Sequence, residues 1–222
     1  MAELSETKEL IFDAFIELTS ALGYETVSMR DIARKVGIKV PSIYNHFEGK
    51  HRILEYVYDY YKKHYFDNRK PIEEMKKLIE TAPAPDIIRT FARTYETDDQ
   101  KKYVRMILIT KIINMRIFQD PAANTIFDEH NKDDIGYVIN VLQHGVDQGR
   151  IDPSFDLETF AIVLIDSYTM MGIKAFAQIS YQVGQLDQEK SLLAMLSRLL
   201  ASAIYNGPVT TGLSADNGAP AG

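Results

Sequence analysis

The side chains best suited to meeting another molecule crowd into one short stretch, Val27 to Arg52. It holds six basic residues, Arg30, Arg34, Lys35, Lys39, Lys50 and Arg52, against two acidic ones, Asp31 and Glu48. That is a net of +4 on a chain whose formal charge is −6. A cationic island on an acidic protein suits a polyphosphate partner that the rest of the surface repels. Hydroxyl, amide and imidazole groups stand among the cations, in Ser28, Ser42, Tyr44, Asn45 and His46. This mixture can both hold phosphates and hydrogen-bond to base edges. Covalent chemistry has no comparable cluster. The chain has no cysteine, which removes disulfides, thiolate zinc sites and cysteine nucleophiles. Its five histidines show no HExxH or similar metal spacing, so no metal or other cofactor is expected. GxSxG, P-loop and GxGxxG patterns are also missing, and no enzyme is expected.

The order of residues in that stretch predicts how it is presented. Ser28 can cap a helix whose third residue is Asp31, a spacing at which each side chain satisfies the other's orphan N–H. Ile32 and Val36 lie four apart on one face, with Ala33 as a small neighbour where another helix can approach. Gly37 stands where a helix end needs the left-handed conformation, and Ile38 plugs the turn. Pro41 fits only a first turn, so a second helix starts near Lys39 or Val40 and runs to about His46. Ile43 and Phe47 form its buried stripe. Two short helices at a tight turn make a helix-turn-helix, whose second helix enters a DNA major groove. The DNA-facing residues expected are Ser28, Arg30, Lys39, Val40, Pro41, Ser42, Tyr44, Asn45, His46 and Lys50. Lys50 opens the following helix at its positive end, where a bound phosphate would accept both free N–H groups and the ammonium. The plainer alternative is a helical hairpin with solvated cations.

The run from Gly23 to Leu54, GYETVSMRDIARKVGIKVPSIYNHFEGKHRIL, resembles the DNA-binding region of the TetR family of one-component transcriptional regulators. The matching marks are Gly23-Tyr24, Met29-Arg30-Asp31-Ile32-Ala33, Gly37-Ile38, Ile43-Tyr44, His46-Phe47 and Lys50. Two positions depart from the pattern: Val27 stands where family members commonly have threonine, and Lys39 where they have a capping serine. Val27 removes a hydroxyl contact to phosphate, and Lys39 exchanges a cap for a long-reaching donor. The likeness covers about the first sixty residues well and is one of architecture beyond them, with GRIDPSFDLE (149–158) resembling the turn before the last two helices. It implies an all-α fold, with an N-terminal three-helix head followed by a larger helical effector-binding and dimerisation domain. It also implies a cytoplasmic homodimeric repressor that binds a palindromic double-stranded operator and is released by a small-molecule effector.

The remaining chain agrees with that architecture. The divisions expected are a head at 1–48, a connecting helix at 49–70, a body at 71–206 and a disordered tail at 207–222. Leu10, Ile11, Ala14, Phe15, Leu18 and Leu22 give the first helix an apolar face at helical spacing. The connecting helix carries Tyr56, Tyr58, Tyr60, Tyr61, Tyr65 and Phe66 all round its cylinder, which predicts a firm junction with the body. Prolines and glycines then divide the body into helices near 71–80, 86–96, 99–118, 121–148, 156–181 and 187–205. The last has a wide apolar stripe. The resemblance implies that the last two helices pair with their two-fold mates, with Leu192, Leu196, Leu199, Leu200 and Ala203 at the dimer interface; internal core is the alternative that takes part of the stripe. A dyad is also what DNA binding requires, because one short helix reads too few base pairs for useful affinity.

A lipophilic or aromatic effector is expected against Tyr103, Met106, Ile107, Asn114, Met115, Phe118, Tyr137, Asn140, His144, Tyr168, Met171 and Lys174, since methionine and aromatic side chains suit an adaptable pocket. Ordinary core packing is the competing account of each. The acidic N-terminal decapeptide is not a secretory signal, and Phe160 to Ile165, the most apolar window, is too short to span a bilayer. Competing functions are a helical adaptor whose head binds protein, and an all-α enzyme.

Overall fold

The computed structural model describes residues 6–67, 69–92, 99–176 and 188–204. These form α1 (Glu6–Leu22), α2 (Met29–Val36), α3 (Val40–Tyr44), α4 (Lys50–His64), α5 (Ile72–Thr81), α6 (Ala84–Ala92), α7 (Gln100–Arg116), α8 (Pro121–Asp147), α9 (Leu157–Phe176) and α10 (Gln188–Ala203). The fold is all-α, and among the described residues β pairing is limited to one antiparallel bridge between Ile151 and Ile204. The 207–222 tail lies outside the described residues, as do the outer ends expected for the sixth, ninth and tenth helices.

Local chemistry sets the helix ends. Asp99 caps α7 by accepting the Lys102 N–H at 3.0 Å, and Asp120 caps α8 by accepting that of Ala122 at 3.0 Å. Pro121 follows at the first helical position, where its missing N–H costs nothing. α6 starts at Ala84, before the Asp86 start predicted, because the Pro83 carbonyl takes the Asp86 and Ile87 N–H groups and Pro85 sits harmlessly in the first turn. α4 gives way to a turn after His64, short of the end at 70 expected for the connecting helix.

Packing selects the faces. α1 buries Ile11, Ala14 and Phe15 as expected, with Leu18 packed at the margin, and adds Phe12, Ile16 and Thr19. Leu10 and Leu22 are half-exposed, because Phe12 turns its ring inward and meets Tyr56 edge-on at 5.1 Å. α10 lies on α6 and buries Leu196, Leu200 and Ala203 in its own chain's core, with Leu192 packed at the margin. Of the residues expected at a dimer interface, those four therefore serve internal packing, and Leu199 faces out beside Met195.

Two apolar clusters result. The first joins α1, the helix-turn-helix and α4 to Ile109, Ile112 and Ile113 of α7 and to Ala123 and Ile126 of α8. The second joins α5, α6, α9 and α10 to Val138, Val141 and Leu142 of α8. The 27 residues of α8 thus span both clusters, over about 40 Å at the usual helical rise. His130 and Asp134 lie where it passes from one to the other.

Candidate nucleic-acid interface and effector cavity

The helix-turn-helix is built by the local contacts its sequence encodes. Ser28 Oγ donates to Asp31 Oδ2 at 2.5 Å, the Ser28 N–H donates to the same carboxylate at 3.0 Å, and the Asp31 N–H returns to Ser28 Oγ at 3.3 Å. Those hydrogen bonds from Ser28, with Arg34 nearby, hold the Asp31 carboxyl below the usual carboxylate range. Gly37 adopts φ 79°, and its N–H and that of Ile38 both reach the Ala33 carbonyl, at 2.9 and 3.0 Å. With Ile43 and Phe47 buried, α3 presents Lys39, Pro41, Tyr44 and Asn45 to solvent, and Ser42 and His46 are half-buried. Val40 is partly buried against the first cluster.

The cations of the head differ in how they are held. Arg34 pairs with Asp31, Lys35 with Glu17, and Arg52 with Glu48 and Glu55. Lys50 folds back: its Nζ donates to the Tyr24 carbonyl at 2.7 Å and lies 4.1 Å from the centre of that ring. Arg30 and Lys39, both exposed, make no ion pair among the described residues. The charge excess read from sequence is therefore largely tied down locally, and these two cations remain for an outside partner.

Behind the head, α7 acts as a brace. Arg105 grips Asp13 of α1 through two hydrogen bonds of 2.8 and 2.9 Å. At its other end Arg116 lies 4.3 Å from the Tyr24 ring and pairs with Asp120 at 3.1 Å, and Tyr58 of α4 donates to the same carboxylate at 2.8 Å. Desolvation opposes ionisation of Asp120, but the hydrogen bonds from Tyr58, the Ala122 N–H and Arg116 win and hold its carboxyl below the usual range. Burial and that same carboxylate push the Tyr58 phenol up.

A cavity of about 330 Å³ opens between α4, α7, α8 and α9. Tyr61 and His64 of α4, with Tyr65 just after it, form one wall, Tyr103, Met106, Ile107, Thr110 and Asn114 of α7 another, and Phe91 of α6 closes part of it. Phe127, His130, Asn131 and Asp134 come from α8, and Ile165, Tyr168 and Thr169 from α9. The lining is mostly aromatic and aliphatic, with polar groups from every wall and three of them, His130, Asn131 and Asp134, on α8. Asp134 is buried there, accepting from the Tyr65 hydroxyl at 2.8 Å and ion-paired with Arg69, whose guanidinium lies 3.7 Å from the Phe66 ring centre.

The family model for bacterial regulatory proteins, tetR family, matches residues 11–57, the same stretch that builds the head. Over this stretch the chain is similar to the TetR family. It is 28% identical over 170 residues to the HTH-type transcriptional regulator SrpR of Pseudomonas putida, a match covering 71% of this chain and 70% of that protein. It is 39% identical over 56 residues to the uncharacterised HTH-type transcriptional regulator TtgW, also of Pseudomonas putida, covering 25% of this chain and 42% of that one. The TetR-family transcriptional regulator from Cytophaga hutchinsonii shares the fold, with a TM-score of 0.62, 15% identity, and 93% of this chain and 100% of that one covered. The head is thus similar in sequence, and the chain similar in fold, to TetR-family transcriptional regulators.

In the body the cavity gathers five of the residues expected to meet an effector: Tyr103, Met106, Ile107, Asn114 and Tyr168. Others stand elsewhere. Phe118 is 92% exposed in the turn after α7, and Met115 and Asn140 are exposed. His144 bonds to Glu80 at 2.8 Å. Tyr137 donates to the Lys70 carbonyl at 2.8 Å, its phenol pushed up to about 12 chiefly by burial. Met171 is half-buried away from the lining, and the Lys174 side chain lies outside the described residues. Sequence reasoning missed Tyr61, Tyr65, His130 and Asp134. The signal for the last two was present, a polar i, i+4 pair on a helix otherwise apolar on that side. No described helix is long and apolar enough to cross a membrane.

Proposed function

We propose that this regulator is a cytoplasmic homodimeric repressor that binds a palindromic operator and leaves it when a small lipophilic or aromatic effector fills the cavity. The observation that carries the reading is the division of α3: Ile43 and Phe47 are buried, while Lys39, Tyr44 and Asn45 face solvent beside the unpaired Arg30. Arg30 and Lys39 neutralise phosphates; Ser42, Tyr44, Asn45 and His46 read base edges and backbone; Val40 and Pro41 contact apolar base surfaces. Ser28, although engaged in its cap, holds the start of α2 against the backbone. Lys50 uses one donor on Tyr24 and retains two for phosphate.

Effector release follows from shared helices. α4 and α7 each supply a wall of the cavity and also hold the head, α7 through Arg105 and Arg116. A ligand that fits the cavity better in one spacing of these helices shifts the pair of heads toward that spacing. Two heads held at a spacing other than a helical turn lose their second set of contacts. The test is an electrophoretic shift with a duplex selected by the protein from a random pool. Arg30→Ala combined with Tyr44→Ala is expected to leave a folded dimer and to weaken the shift at least tenfold, with a shallower salt dependence. Unchanged affinity would sink the surface assignment.

A further inference from the structure

His130 is 7% exposed and forms part of the cavity wall. Its Nδ1 lies 2.7 Å from the Ile126 carbonyl, and a carbonyl oxygen can only accept, so Nδ1 carries a proton. In the neutral ring Nε2 is then a lone pair. That atom is buried and has no hydrogen-bond partner. The ring cannot easily turn away to find one: Phe66 stacks on it with centroids 5.1 Å apart, Tyr65 meets it edge-on at 4.6 Å and Tyr61 flanks it at 5.0 Å. An orphaned acceptor fixed among rings at a cavity wall is what remains of a site whose partner comes from outside the chain.

The neighbouring carboxylate narrows the chemistry. Asp134 is already satisfied by Tyr65 and Arg69, so a cationic ligand gains little from it. The open demand on this wall is for a donor. Resting on the reading that the cavity holds the effector, we infer that His130 is its polar anchor and that the effector is an uncharged aromatic molecule carrying a hydrogen-bond donor, a phenol or an aryl N–H, aimed at Nε2.

The test compares 2-naphthol with 2-methoxynaphthalene, which has the same ring system without the donor, by isothermal titration calorimetry on the full chain. Native protein is expected to bind the naphthol roughly tenfold more tightly or better. His130→Phe keeps the aromatic packing and should reduce the naphthol to the affinity of its ether, leaving the ether unchanged. His130→Gln, whose amide oxygen can accept, should recover part of the preference. Should these variants fail to fold, nitrogen-15 histidine correlation spectra of the native protein serve instead. There the unprotonated Nε2 signal of the residue protonated at Nδ1 should move with the naphthol and stay with the ether. Equal binding of both probes, or a Nε2 signal indifferent to the naphthol, overturns the anchor while the effector cavity stands. Binding of neither probe overturns the cavity reading and the anchor together.

Discussion

At the scale of single residues, charge pairing at the head–body junction sets a pH response. Asp120 accepts from Tyr58, Arg116 and the first turn of α8, and its folded carboxyl titrates below its unfolded value near 4. Between those two values the unfolded chain binds the extra proton, so stability rises with pH there. The contribution is complete above about 4 and disappears as pH falls through the folded value. Melting temperature measured from pH 7 to pH 2 should therefore drop in the acid limb, and Asp120→Asn should flatten part of that drop; an unchanged slope would mean the junction does not depend on this carboxylate. Residue roles were legible in the sequence when their partners were close along the chain. Ser28 and Asp31 are three apart, and their reciprocal cap could be read directly. Lys50 and Tyr24 are 26 apart, and nothing local shows that the ammonium turns back onto that carbonyl. His130 reads as an ordinary polar position until the walls around it are known.

At the scale of elements, the brace made by α7 is the main addition to what periodicity offers. Proline, glycine and capping residues mark where helices start and stop, because those rules act within a few residues. Which face turns inward depends on neighbours distant in sequence. That is why Leu10 and Leu22 of α1 proved exposed while Phe12 and Ile16 are buried. The sequence also does not reveal that α7 is pinned to α1. Arg105 is 11% exposed and holds Asp13 with a two-pronged contact, a geometry stronger than an ordinary surface pair. Arg105→Ala should cost about 2 kcal/mol in urea unfolding, as hydrogen bonds to charged groups do when partly shielded from water. It should also weaken the link between cavity and head, so that an aromatic probe releases DNA less well; full stability with unaltered release would remove α7 from the pathway.

At the scale of the whole molecule, α9 and α10 divide their apolar residues between two tasks. Leu196 is fully buried within its own chain, whereas Leu199 is 45% exposed alongside Met195, with Ile162 and Val163 partly bare on α9. On the proposed homodimer, Leu199→Glu should therefore give folded monomers by light scattering, since the proposed dimer face would lose its apolar centre while the interior is untouched. Leu196→Glu should instead lower the melting temperature severely by burying a charge. A dimeric Leu199→Glu protein would place the interface elsewhere. Sequence alone could not separate these two leucines, three apart on one stripe, because the stripe is wide enough for both an internal and an external neighbour.

The first apolar cluster draws Ile11, Phe12 and Phe15 of α1 together with Ile109, Ile112 and Ile113 of α7 and with Ile126 of α8. Anyone hoping to transplant this DNA reader onto a different sensor inherits that seam. Cutting the chain after α4 strips an oily flank bare, so a working chimera must carry a matching underside from the donor or have one redesigned in the recipient.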